Sequence, residues 1–268
     1  MLVFNCTKTA AEFFTVTRQG KKQSPLEKPP TPAIIDTQHE NLPVSSWLVH
    51  AIKVQRKNVL IAMHVHTRYA MVFTGLQKGN YAEFSRQWLE RLFNNMQFFG
   101  KQFELCDETS FHTMVEQFIR QNPNPCFCQR GDRSVQSHIS DVVWNIEYLA
   151  DETGGLPEDL VQASLFDESI NSTLRSTKTH KDYFHPDEEM FLEWISQYGK
   201  LDRSEEPLVR EYFRALRLQM PPLLPVPEHQ DEMQGITETV LRNNFEGKPA
   251  RVDNVIDFQQ ARANKKSK

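Results

Sequence analysis

Three closely spaced apolar runs stand out along the chain: "SSWLVHAIKV" at 45–54, "NVLIAMHV" at 58–65 and "YAMVFTG" at 69–75. They are rich in β-branched and aromatic residues and are separated by polar turns at "QRKN" and around "HTR", so they predict one antiparallel meander. In the middle run Val59, Ile61, Met63 and Val65 alternate with Leu60, Ala62, His64 and His66. Period-two alternation makes the first set a wholly apolar face, to be packed against helices. A further short strand is expected at "LVFNC" (2–6), with a brief helix after it started by Thr7 or Thr9. Between Thr17 and Pro43 the chain has five prolines and little periodicity, which predicts an extended surface loop. Its "PPTP" is a weak partner-docking signal.

Helical spacing takes over from Asn80. Phe84, Trp88, Leu89, Leu92, Met96 and Phe99 recur on one side of "NYAEFSRQWLERLFNNMQFFG", with Asn80 as N-cap, Glu83 in a capping-box position and Gly100 as a left-handed terminator. A second helix, Ser110 to Gln121, ends at "NPNP", and a third carries Val135, Ile139, Val142, Ile146 and Leu149 as its apolar stripe. Beyond "DETGGLPED" two amphipathic helices are expected, one opening at Pro186 and closing at Gly199, the next starting at Ser204. "PPLLPVP" ends that part, and one more helix and a flexible basic tail follow. The pattern therefore predicts an α+β domain over 1–150, a small antiparallel sheet packed with amphipathic helices, then a helical extension over 151–220 and a linker, short helix and tail over 221–268.

Length and charge narrow the classes. With 268 residues, 39% of them hydrophobic, the chain can build a sizeable core, and a net charge of -4 gives no global attraction to nucleic acid. No apolar run approaches the ~18 residues of a membrane span, and the start "MLVFNCTKTAAEFF" is too polar for a signal peptide, so a cytoplasmic protein is expected. Cys6, Cys106, Cys126 and Cys128 read as thiols of a reducing compartment; Cys126 and Cys128 are too close for a zinc knuckle.

The densest polar segment is "GDRSVQSHISDVVWN" (131–145). A helix begun at Asp132 or Ser134 aligns Ser134, Ser137, Asp141, Asn145 and Tyr148 on a polar stripe, with His138 on its border. Arg133, Ser134, Ser137, His138 and Asp141 are then candidates to line a pocket for an anion at a helix start; capping by Asp132 and a solvated stripe is the competing explanation. A serine triad is disfavoured, because one short helix cannot place histidine between serine and aspartate in a hydrogen-bonded line. His64 and His66, with His50 on the neighbouring strand, form a weak candidate metal set. Val255, Ile256, Phe258 and Arg262 in the tail are candidates for docking a partner, and the C-terminal lysines with Lys53, Arg56 and Lys57 for weak nucleic-acid contact.

Over roughly Met1 to Ala150 the chain resembles a bacterial family of domains of unknown function. Three features carry the likeness: Trp47 before a strand hairpin, Thr67 in the next loop, and "RSVQSHISD", similar to a helix-opening Arg-Ser-Val-x-Gly-Ser-x-Asn-Asp. Arg133, Ser134, Val135 and Asp141 match it, while Ser137, His138 and Ser140 stand where the pattern has glycine, serine and asparagine. The resemblance implies a bacterial origin and names no activity or cofactor. The expected function is a non-enzymatic cytosolic module that binds a protein partner or small anionic ligand near 133–141. The alternative is a hydrolase or nucleic-acid-processing enzyme in which His138, Asp141 and the sheet histidines meet.

Overall fold

The computed structural model describes residues 1–27, 44–178, 181–199 and 201–219. The meander is present as β5 (Ser45–Val54), β6 (Lys57–His64) and β7 (Ala70–Thr74), paired antiparallel. It is half of a larger mixed sheet. β1 (Leu2–Cys6) pairs parallel with both β5 and β8 (Cys126–Gln129), and β4 (Leu26–Glu27) pairs parallel with β8, giving the order β4-β8-β1-β5-β6-β7. The start of the expected proline-rich loop is structured too: β2 (Val16–Arg18) and β3 (Lys21–Gln23) form a hairpin before β4. The "PPTP" segment lies outside the described residues, as do Val255, Ile256, Phe258, Arg262 and the C-terminal lysines.

Both faces of the sheet are covered. On one, Trp47, Val49, Leu60, Ala62 and Phe73 pack under α1 (Lys8–Phe14), α2 (Tyr81–Gln102), α3 (Glu108–Gln121), α6 (Pro186–Tyr198) and α7 (Glu206–Gln219). On the other, Leu48, Val59, Ile61, Met63 and Val72 meet α4 (Arg133–Thr153) and α5 (Leu160–Asn171). Helices beyond residue 150 thus share the cores of the sheet: Phe191, Trp194, Val209 and Phe213 lie in one cluster with Phe4 and Trp88. Burial of both sheet faces also explains why β6 is nearly uninterrupted in apolar residues.

Local signals set the helix ends. Thr7, Asn80, Asp107, Asp132 and Asp159 each accept a backbone N–H of the first turn, and Gly154 closes α4 in the left-handed region at φ 73°. Gly100 is not a terminator. α2 runs through it, and a Cβ there would lie 2.1 Å from the Cys106 sulfur, so the position is glycine for close approach.

α5 is absent from the sequence expectation because three of its six buried residues, Ser164, Asp167 and Asn171, are polar and break up the apolar face of Ala163, Phe166 and Ile170. Those polar groups close the edge of the sheet. The Asn171 amide accepts from Ala70 N and donates to Ala70 O, both at 2.7 Å, while Asp167 accepts from Val72 N at 3.0 Å. Arg91 of α2 donates to Val72 O and pairs with Asp167. Side chains thereby replace a missing seventh strand and leave no open edge at these residues for another chain to join.

Candidate functional site

The polar groups of interest gather where the β6–β7 turn meets the start of α4. At the end of β6, just before that turn, His64 is fully buried, with its ring 5.1 Å from that of Trp47. Thr67 donates its backbone N–H to His64 Nδ1 at 3.4 Å, and its hydroxyl lies 3.0 Å from the same atom. Nδ1 is therefore an acceptor, and the ring proton sits on Nε2, facing Glu193 Oε1 of α6 at 3.5 Å. Burial first, then His66 and Arg68, pushes the His64 pKa down to about 3, so the ring is neutral. Burial, aided by Glu189, raises Glu193 to about 7.

Arg68 follows at φ 60°, a left-handed conformation that is costly for a side chain of this size and that turns the chain back into β7. Only 6% of it is exposed. Its Nη2 donates to Ser134 Oγ at 3.0 Å, while Nε and Nη1 are buried without a partner among the described residues. Arg175 is 4% exposed and is held by a backbone bridge to Phe184. Its Nη1 reaches Asp141 Oδ2 at 3.3 Å, His138 O at 3.4 Å and His138 Nδ1 at 3.5 Å, and its Nε too has no partner. Desolvation lowers the pKa of both arginines, opposed by Asp132 at Arg68 and by Asp141 at Arg175. His138 is lowered by burial and by the two guanidiniums.

Arg68 also lines a cleft of about 390 Å³ between the β6–β7 turn, Thr177 and Phe184, and helices α6 and α7. That size suits a small molecule. Glu189, Glu193 and Glu206 line the cleft too, with Arg210. Arg210 is engaged by Glu188 and Glu189, each at 2.6 Å.

The segment 131–145 is helical from Arg133, but its side chains divide differently from the expectation. Asp132 caps the helix, accepting from Ser134 N and Val135 N at 2.9 and 3.1 Å, so those donors are taken. Arg133 is exposed, and the guanidiniums beside Ser134, His138 and Asp141 are those of Arg68 and Arg175. Ser137 is exposed and donates to Ser134 O. Sequence reasoning missed Arg175 entirely, since it lies 34 residues from Asp141 in an irregular segment.

The metal set does not assemble. Strand register places His50 opposite Ile61 and His64 opposite Trp47, which belong to different sheet faces, and His50 Nδ1 instead meets Thr7 and Thr9. Among the described residues no group of three His, Cys, Asp or Glu side chains is placed to hold a metal ion. Nor do the sheet histidines join His138: the His64 ring nitrogens face Thr67 and Glu193, whereas His138 meets Arg175. Lys53, Arg56 and Lys57 are exposed at the β5–β6 turn, far along the strands from this site.

An α+β domain with helices on both faces of a mixed sheet and a polar cleft at one end of it is thus the class of protein. The chain belongs to the family Domain of unknown function (DUF6933), whose sequence profile matches residues 3–189. The match runs past Ala150 through α5, whose side chains close the sheet edge. Five polar or aromatic residues singled out in the sequence lie along this region: Trp47 and Thr67 pack against His64, Ser134 meets Arg68, and Asp141 meets Arg175. No curated protein and no solved structure matches the chain. Among the described residues no helix is long and apolar enough to cross a membrane.

Proposed function

We propose that the domain is a non-enzymatic binding module of the bacterial cytoplasm that takes a small anionic ligand beside the start of α4, with Arg68 as the principal contact and Arg175 and Ser134 in support. One observation carries this reading: Arg68 is almost wholly buried at the wall of a cleft, yet two of its guanidinium nitrogens have no partner among the described residues. A buried charge with open hydrogen-bonding positions costs several kcal/mol unless something completes it, and a planar guanidinium fork matches a carboxylate or phosphate. The cysteines, all free, agree with a reducing compartment.

Titration with inorganic phosphate, followed by calorimetry and by thermal shift, tests the reading. Saturable binding is expected to raise the melting temperature by mass action. Arg68→Met is expected to weaken it at least ~10-fold, the scale of one lost charge-assisted contact. Equal affinity in Arg68→Met, or no response to phosphate, sulfate or simple carboxylates, overturns it.

A further inference from the structure

We infer that the cleft is a two-ended site for a small zwitterion, its anionic group at Arg68 and an ammonium group at Glu193. This rests on the anion-binding reading above and adds a second recognition element to it. The cleft carries both signs on separate walls. Arg68 comes from the β6–β7 turn and holds unpaired N–H groups, whereas Glu193 comes from α6 and has Glu189 and Glu206 as fellow lining residues. Among the described residues no cation lies against Glu193: Arg210 is committed to Glu188 and Glu189, and the neighbour of Glu193 is neutral His64 at 3.5 Å, beyond a good hydrogen bond.

His64 Nε2 supplies an independent sign of an incomplete site. It is fully buried, bears the ring proton and lacks a hydrogen-bond partner at the position facing Glu193. The two walls also make the simpler ligands weaker binders. An anion alone meets three glutamates, and a cation alone meets Arg68 and Arg210. A molecule with both charges is complementary to both walls, and opposed like charges weaken the binding of the rest. The raised pKa of Glu193 fits the same picture, since its carboxylate lacks a compensating positive charge in the unliganded protein.

Matched probes decide this. Calorimetry on the full chain would compare 4-aminobutyrate with butyrate and butylamine, and O-phosphoethanolamine with ethyl phosphate. The two series also separate a carboxylate from a phosphate as the anionic end. At least one zwitterion is expected to bind ~10-fold or more tightly than each of its single-charge analogues, the size of one charge-assisted contact. Glu193→Gln should abolish the advantage of the zwitterion, so that in this variant it binds no more tightly than its anion-only analogue. If anion-only probes bind as well as zwitterions, the inference falls and the anion-binding reading stands. If no anionic probe of either kind binds, both fall. The wild-type ranking is decisive by itself, so the test survives a Glu193→Gln variant that does not fold.

Discussion

Two buried polar clusters lie within a few residues of each other on the same hairpin, and they are built on opposite plans. Around Ala70 and Val72 the backbone donors and acceptors of the edge strand are answered by Asn171, Asp167 and Arg91, and the one buried cation faces the one buried anion. Of these three side chains, Arg91 alone keeps a nitrogen, Nε, without a partner among the described residues. Around His64 and Arg68 the accounting is open: Arg68 Nε and Nη1, Arg175 Nε and His64 Nε2 all lack partners, and the carboxylates nearest the two arginines belong to Asp141, whose side chain is 66% exposed, and to the capping residue Asp132. Closed networks hold a fold together, because each group is useful only in the native pairing. Open ones are tolerated where a further molecule completes them.

The contrast can be broken by mutation, and the largest effect is expected on the closed side. Asp167→Ala leaves Arg91 buried and unpaired and frees Val72 N, and should cost about 3–5 kcal/mol in urea unfolding. A loss below about 1 kcal/mol would show that the edge network is not structural.

Next in size is a pH effect at the cleft. The pKa of Glu193 is raised from 4.5 to about 7, so the folded protein holds this proton more tightly than the unfolded chain does. The stability linked to it is complete below the unfolded value and is lost as pH rises to about 7. Glu193→Gln removes that dependence. Allowing for the partly exposed side chain, the variant should gain about 2 kcal/mol over wild type near neutral pH and nothing in acid, measured by melts between about pH 4 and pH 8. Parallel pH curves for the two proteins would remove Glu193 as a strained group.

Smaller still is the stability change in Arg68→Met. Replacing an incompletely paired buried guanidinium by an apolar chain of similar length should shift urea stability by less than about 1 kcal/mol, while phosphate binding is lost. A penalty as large as that of Asp167→Ala would put Arg68 on the structural side of the comparison. Arg133→Ala should change stability by no more than about 0.5 kcal/mol and leave phosphate affinity as it is, because the side chain is exposed. A clear loss of binding would return Arg133 to the site.

Much of the fold was legible from local patterns. The meander, the capped starts of α1, α2 and α4 and the apolar stripe of α4 rest on period-two or three-to-four-residue spacing within one segment, and the structure places Thr7, Asn80 and Asp132 as caps. What escaped was nonlocal. One apolar side was expected on α2, yet Glu90 and Asn94, which do not belong to that side, are buried as well because later helices pack on α2. The candidate site was half legible: Ser134, His138 and Asp141 are at it, whereas exposed Arg133 is replaced by Arg68 and Arg175, brought in from turns 66 and 37 residues away from Ser134 and His138.

By itself the sequence determined where strands and helices form and which of their faces are apolar, since those properties depend on backbone geometry and near neighbours. Only the tertiary structure decided that β1 lies parallel between β5 and β8, that α5 seals the β7 edge, and that two arginines are buried beside one helix start. The reason is physical: strand partners and the desolvation of a charge depend on which distant segments pack together, and no spacing within a segment records that.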